Sequence, residues 1–236
     1  MINCGLHQQV LRDLKIAPTK VQMNQPLPKA LFITGTDTGV GKTHVACKLI
    51  RDYVAQGFRV IGMKPVAAGL DLVNGQWVND DVLRLEEASN VKAPRELINP
   101  YSFKEAVAPH IAAEKAGIVI NIDVIKQAFQ ALSKLADIVI VEGAGGFLVP
   151  LNDQQSMADL PAALDIPVIL VVGMKLGCIN HSLLTVEAIK ARGLHLHGWV
   201  ANQIEPEMTF YNKNMTTIAE KIHLKSMFLS VFQPNK

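Results

Sequence analysis

Residues 35–43 read Gly-Thr-Asp-Thr-Gly-Val-Gly-Lys-Thr, and the flanks of this stretch decide how it folds. Before it, Ala30 to Ile33 is short and apolar, as a buried strand would be. After it, KTHVACKLIRDYVAQ from Lys42 places Val45, Leu49 and Val54 at roughly helical spacing. Strand, glycine-rich turn and helix in that order make a phosphate-binding loop. The glycines let successive backbone N–H groups point inward, and the helix presents its positive end to an anion. Lys42 is then placed to reach β- and γ-phosphates, and the Thr43 hydroxyl to take a position on Mg²⁺. In the usual G-x4-G-K-[ST] spacing the first glycine falls on Thr36; here Gly35 lies one residue earlier, so the loop is a variant of the common one.

Composition agrees with a nucleotide-handling enzyme. A hydrophobic content of 49% over 236 residues supports a sizeable core, and 19% charged residues argues against disorder. Net charge is only +2 with no Lys/Arg cluster, which speaks against nucleic acid as a partner. The longest apolar runs, such as Ile166 to Val172, are far too short to span a membrane. Cys4, Cys47 and Cys178 show neither metal nor disulfide spacing, which fits a reducing cytoplasm. Residues 1–28 lack a signal-peptide core, and Pro18, Pro26 and Pro28 suggest an irregular extension there. Residues 29–236 then form a single P-loop α/β domain.

Along that domain, apolar runs alternate with helical patterns. Arg59 to Lys64 reads as a second strand ending at Pro65, followed by a loop from Ala67 to Gly75 and a helix from Asp80 to Ser89. Glu105 to Lys115 and Ile122 to Leu135 read as further helices, the second with Ile122, Ile125, Phe129 and Leu132 on one face. Ile138 to Val141, Val168 to Val172 and Gly198 to Ala201 complete the strands. Strands separated by helices imply a parallel, doubly wound sheet of the P-loop NTPase type with helices on both faces. Such sheets bind ligands beyond the carboxyl ends of their strands.

Three of those ends carry chemistry. Lys64 precedes Pro65, which stops regular structure, and its ammonium points to the rim that holds the phosphate loop; the bland alternative is a solvated lysine. Glu142 closes an apolar strand before Gly143-Ala144-Gly145-Gly146, where phosphate-loop enzymes keep a metal-directed acid. A buried, unpaired carboxylate is costly, so a cation partner is the economical reading of Glu142. Asn79-Asp80-Asp81 opens a helix: Asp80 reads as an N-cap or first-turn acid, and Asp81 is either that or a second metal ligand. His110 and His181 are expected to be hydrogen-bonded structural residues, and His195 and His197 to face solvent. No Ser-His-Asp order or zinc spacing occurs, so acyl transfer and metallohydrolysis fall away.

GTDTGVGKT, KPVAAG, INPYSF, VEGAGG, PVILVVGMKLGCINH and GWVANQ follow one another in this chain. From about Leu31 to Gln203 the pattern resembles the dethiobiotin synthetases. The VVGMKLGCINH segment followed by GWVAN is specific, whereas the phosphate loop alone says only nucleotide. The resemblance implies a cytoplasmic, homodimeric, Mg²⁺-dependent ligase that converts 7,8-diaminopelargonic acid, CO₂ and ATP into dethiobiotin, ADP and phosphate, with small-molecule substrates alone as its other partners.

The resemblance also implies roles. Gly39, Val40, Gly41, Lys42 and Thr43 would hold the nucleotide phosphates, and Asn202 would read the adenine edge. Thr43, Asp81 and Glu142 would be the magnesium ligands. Lys42, Lys64 and Thr38 would face the carbamate and the phosphoryl group in flight. Gly177, Cys178, Ile179 and Asn180 would bind the substrate carboxylate from across a dimer interface, with Lys64 and Ala68 on the diamine side. Gly39 stands where many members have glutamate, and Ala68 and Ala108 where serines often contact the diamine. After Gln203 the chain diverges, without the usual GEIP-type loop. The rival reading is a dimeric ATP-driven switch of the chromosome- or septum-positioning type. Such proteins usually carry a lysine early in the loop, where this chain has Thr36-Asp37-Thr38.

Overall fold

The computed structural model describes residues 27–230. The irregular extension expected over residues 1–28 lies outside them save for its last two residues, and so does Cys4. Six strands stand side by side in the order β10 (Leu229–Ser230), β9 (Leu196–Gln203), β8 (Val168–Met174), β1 (Ala30–Gly35), β7 (Ile138–Glu142) and β2 (Val60–Met63). Every neighbouring pair is parallel. Strands β1, β2, β7 and β8 are buried at every residue, as a sheet covered on both faces demands.

The period of two along each strand sorts the core into layers. Leu31, Ile33, Ile138, Ile140, Ile169 and Val171 meet α1 (Lys42–Ala55) and α2 (Asp80–Ala88) on one face. Phe32, Val139 and Val141 meet α5 (Ile122–Leu135) and α6 (Asp159–Leu164) on the other. Beyond them Leu170, Val172 and Trp199 are covered by α7 (Cys178–Ala191) and α8 (Tyr211–Ile222). Helix α5 has the expected ends and buries Ile122, Ile125 and Leu132 as its period requires, but Ala128 is the fourth buried residue and Phe129, expected on that face, is only half-buried against it.

At the β2 edge the sheet is sealed by its own chain. The outward amides of Val60, Gly62 and Lys64 donate to Asn90 Oδ1 (2.7 Å), Ser89 Oγ (2.9 Å) and Ile98 O (2.8 Å). Alternate residues of an edge strand present such donors to one side, and here each finds a partner.

Several boundaries differ from the sequence reading. The expected loop from Ala67 to Gly75 contains β3 (Val66–Ala68), which pairs in parallel with β6 (Tyr101–Phe103), and it runs into a hairpin of β4 (Asp71–Val73) and β5 (Gln76–Val78). The hairpin turns at Asn74-Gly75, both at positive φ, a pairing of residues that signals such a turn. The helix expected from Glu105 begins only at Pro109, as α4 (Pro109–Lys115). Proline fits the first helical position, and it disfavours helical geometry in the residue before it. The sequence reading also missed α3 (Arg95–Ile98), α6, α8 and β10. Among the described residues no helix is long and apolar enough to cross a membrane.

Candidate active site

The loop between β1 and α1 is built against β8. Thr36 N–H donates to Val171 O at 3.0 Å. Two residues on, Gly173 leaves room for Val40: a Cβ at Gly173 would stand 2.8 Å from Val40 Cγ1. Lys175 Nζ then reaches Asp37 Oδ2 at 3.1 Å. Inside the loop, Asp37 Oδ1 accepts from Thr38 N–H (2.7 Å), and Asp37 O accepts from Lys42 Nζ (3.0 Å). Gly41 caps α1 at φ +89°, a left-handed conformation that glycine adopts without strain. A Cβ there would collide with Asn202 Nδ2.

Asn202 arrives from near the end of β9 and donates from Nδ2 to Val40 O at 2.8 Å. Its Oδ1 is buried without a partner. Thr38 is exposed at the loop's tip, with its hydroxyl 3.7 Å from where a Cβ on Gly145 would lie. The phosphate loop therefore faces the glycine turn that follows β7.

Beneath the loop four side chains from four elements converge. Thr43 Oγ1, in the first turn of α1, lies 2.6 Å from Asp81 Oδ1 and 2.9 Å from Glu142 Oε1, and its one proton serves one of them at a time. Lys64 Nζ donates to Glu142 Oε1 at 2.5 Å, to Asp81 Oδ2 at 2.9 Å and to Gly143 O at 3.2 Å. Glu142 is 0% exposed and Lys64 4%.

Local structure fixes each of them. Glu142 is the last residue of β7, in register with Ile33 of β1. Asn79 caps α2 by accepting from Val82 N–H at 3.3 Å and anchors that cap by donating to Gly69 O at 2.8 Å. Asp80 and Asp81 therefore fall in the first turn, where acids suit the helix dipole. Asp80 turns outward toward Arg84, and Asp81 inward. Lys64 is held at its backbone by Ile98 O and by Asn99 Nδ2, which donates to Lys64 O at 2.7 Å.

The charges of this cluster respond to one another. Burial pushes Glu142 above the usual carboxylate range. Burial opposes the charge on Lys64 too, but the attraction of Glu142 and Asp81 outweighs it and raises its pKa. Asp81 is held below its ordinary value: burial acts against this, and Lys64, the Thr43 hydroxyl and Lys42 overcome it. Lys42 falls to about 8, chiefly by burial and then by repulsion from Lys64.

Among the described residues no three or more His, Cys, Asp or Glu side chains gather as a ready metal cage. Glu142 Oε2, however, is a buried carboxylate oxygen without a partner, beside Asp81 and the Thr43 hydroxyl. One or two carboxylates and a hydroxyl, with phosphate and water oxygens completing the shell, suit Mg²⁺. The donor set fits that ion.

Gly177 to Asn180 form the start of α7 immediately beyond β8. Gly177 caps the helix at φ +93° and Cys178 is buried, its N–H given to Lys175 O at 3.0 Å. Ile179 is half-buried and Asn180 exposed. Ala68 closes β3, and Ala108 precedes α4. Of the histidines, His195 is exposed but His197 is half-buried beside it, and His110 Nδ1 is buried without a hydrogen-bond partner, contrary to the structural bond expected of it.

Sequence reasoning missed Asp37, Asn99 and Lys175. All three sit inside the quoted segments GTDTGVGKT, INPYSF and VVGMKLGCINH, and only their spatial partners give them meaning.

The AAA domain family matches residues 29–231 of the chain. The chain is similar to the ATP-dependent dethiobiotin synthetase BioD of Nitrosospira multiformis, with 55% identity over 194 residues, 82% of this chain and 84% of that protein. Similarity to the ATP-dependent dethiobiotin synthetase BioD of Aromatoleum aromaticum is 51% over 195 residues, 83% of this chain and 87% of that one. Among solved structures, the septum site-determining protein MinD of Pyrococcus horikoshii, complexed with Mg-ADP, aligns at a TM-score of 0.56 and 13% identity, over 88% of this chain and 83% of that chain. At that identity the likeness is one of fold alone.

Proposed function

The chain belongs to the ATP-dependent dethiobiotin synthetase family, and from that membership we propose how its site closes the ring. It is a ligase that forms carbon–nitrogen bonds and makes dethiobiotin in an ATP-dependent reaction. The finer reading is this. One amine of 7,8-diaminopelargonic acid adds to CO₂ and loses a proton to give a carbamate. A carbamate oxygen attacks the γ-phosphorus of ATP, the bond to the β,γ-bridging oxygen breaks, and ADP leaves. The second amine attacks the carbonyl carbon of the resulting carbamic–phosphoric anhydride, expels phosphate and closes the five-membered urea.

The observation that supports this reading best is a pair of buried lysines, Lys64 bonded to the acids Asp81 and Glu142 and Lys42 to the loop carbonyl of Asp37. In this reading Lys42, on the loop, would face the phosphates, and Lys64, after β2, would meet the carbamate oxygens. Chemistry of this kind needs placement and charge neutralisation more than a protein nucleophile. Thr43, Asp81 and Glu142 would hold Mg²⁺, which when bound would neutralise the β- and γ-phosphate oxygens. Asn202 Oδ1 offers an acceptor to the adenine amine, and Thr38 lies at the mouth of the loop beside Gly145. Gly177 to Asn180 would receive the substrate carboxylate at the start of α7, supplied to the neighbouring subunit of a homodimer in the cytoplasm.

Pure protein with ATP, Mg²⁺, bicarbonate and diaminopelargonate should form dethiobiotin and ADP in equal amounts. Steady ADP release without any dethiobiotin, unaffected by the diamine, would overturn the ring-closing reading in favour of an ATP-driven switch.

A further inference from the structure

Strand β8 and the residue just beyond it meet the phosphate loop three times at alternate positions: Val171 through its carbonyl, Gly173 through the space it leaves for Val40, and Lys175 through its ammonium. The first two contacts locate the ends of the loop. The third reaches the residue from which its outer arm is organised, because Asp37 accepts Thr38 N–H on Oδ1 and Lys42 Nζ on its carbonyl while Oδ2 faces Lys175. Nothing in the proposed chemistry uses Lys175.

We propose that Lys175 is a positioning residue for phosphoryl transfer: by holding the Asp37 carboxylate it orients the Thr38 amide and the carbonyl on which Lys42 rests, and so presets the phosphate loop. The inference rests on the reading of Lys42 and its loop as the nucleotide site.

The pair is a poor stability device on physical grounds, since Lys175 is 33% and Asp37 48% exposed and ion pairs of that exposure contribute little. Geometry is a better account of it. A free Asp37 carboxylate has rotamers that turn Oδ1 away from Thr38 N–H; a cation fixed at the end of a buried strand selects one of them. The backbone from which Lys175 projects is fixed, because Met174 before it is fully buried and the Lys175 carbonyl accepts Cys178 N–H at the turn into α7. The same ammonium lowers the Asp37 pKa, together with the Thr38 amide, so the carboxylate is charged throughout the working range. One residue thus joins the phosphate loop to the turn at which α7 begins.

The test is a double-mutant cycle on the full chain with Lys175→Met, Asp37→Asn and the two combined, alongside Lys175→Arg. Affinity for a fluorescent ATP analogue is measured without diamine, and kcat and KM with all substrates. Lys175→Met should keep its melting temperature within about 2 °C. It should lose about tenfold in kcat, leave KM for the diamine within about twofold, and recover most of the loss as Lys175→Arg. The double variant should be no worse than the poorer single one. A Lys175→Met protein within twofold of the parent in both kcat and analogue affinity overturns the proposal. So do losses that multiply in the double variant, because Lys175 would then act on a ligand directly and not through Asp37. If the parent binds the analogue but makes no dethiobiotin, the ring-closing reading fails while the affinity cycle still decides the role of Lys175. A parent that does not bind the analogue at all overturns both.

Discussion

Lys64 Nζ and Glu142 Oε1 approach to 2.5 Å at the sheared-off ends of two neighbouring strands, with almost no access to water. Taking one charge away from such a pair leaves the other stranded, at a cost of about 3–5 kcal/mol. Glu142→Ala should therefore lower the unfolding free energy by roughly that amount in urea titrations. Glu142→Gln, which keeps an acceptor oxygen for Lys64, should cost less while raising the Mg²⁺ concentration needed for half-maximal activity about tenfold or more. An unchanged Mg²⁺ dependence in Glu142→Gln would remove Glu142 from the metal site.

Lys42 supplies a pH signature. With its pKa lowered to about 8, the free protein carries the ammonium below that pH and loses it above. An anionic phosphate favours the charged form, so binding draws a proton in and affinity should fall as pH rises through about 8. Fluorescent ATP-analogue titrations between pH 7 and 9.5 should show this for the parent and not for Lys42→Ala, whose turnover should drop about 10²–10³-fold. A flat affinity profile in the parent would contradict the placement of that ammonium on the phosphates.

Gly41 is constrained twice, by its φ of +89° and by Asn202 directly over it. Gly41→Ala should cost about 1–2 kcal/mol of stability and displace the Asn202 amide, weakening adenine nucleotides by about tenfold. Comparing ATP with inorganic triphosphate separates the two effects: a variant that loses both ligands equally would show that Asn202 plays no part in reading the base.

If Gly177 to Asn180 serve the neighbouring subunit, two dead proteins should revive each other. Mixed Lys42→Ala and Asn180→Asp chains would put both intact halves at one of the two sites in half of the dimers, giving at most about a quarter of parental activity. Absence of any recovery, with subunit exchange demonstrated by mass spectrometry, would mean that each chain holds its own substrate carboxylate.

What the sequence disclosed and what it hid follow a physical line. Strands β1, β7 and β8 announce themselves because a strand buried on both faces must be apolar throughout, and the α5 stripe does so because one face of a helix repeats every 3.6 residues. Glu142 was legible for the same reason: a carboxylate at the end of so apolar a run has to be compensated. The pairing of β3 with β6 was not legible, since strands of three residues carry no usable period and their partners lie about 35 positions apart in the chain. The Asn74-Gly75 turn is written in the sequence, but the three-residue strands it joins are too short to show a period of their own. Asp81 stood undecided because a first-turn acid and an inward-facing acid have the same sequence; only the Asn79 cap, by setting the helix phase, sends Asp80 out to Arg84 and Asp81 in to Lys64. Lys175 went unread for a related reason, as an ion pair 138 residues apart in the chain leaves no local mark.

The closed border along β2 has a consequence for how the protein behaves when crowded. Because Asn90, Ser89 and Ile98 occupy the three donors that another strand would seek, neighbouring molecules meeting on that side find no backbone to zip onto. The flank that carries Lys64 is thus shielded from strand-to-strand pairing with a second molecule. Two small polar side chains, Ser89 and Asn90, thereby do at this border what a further strand would otherwise do.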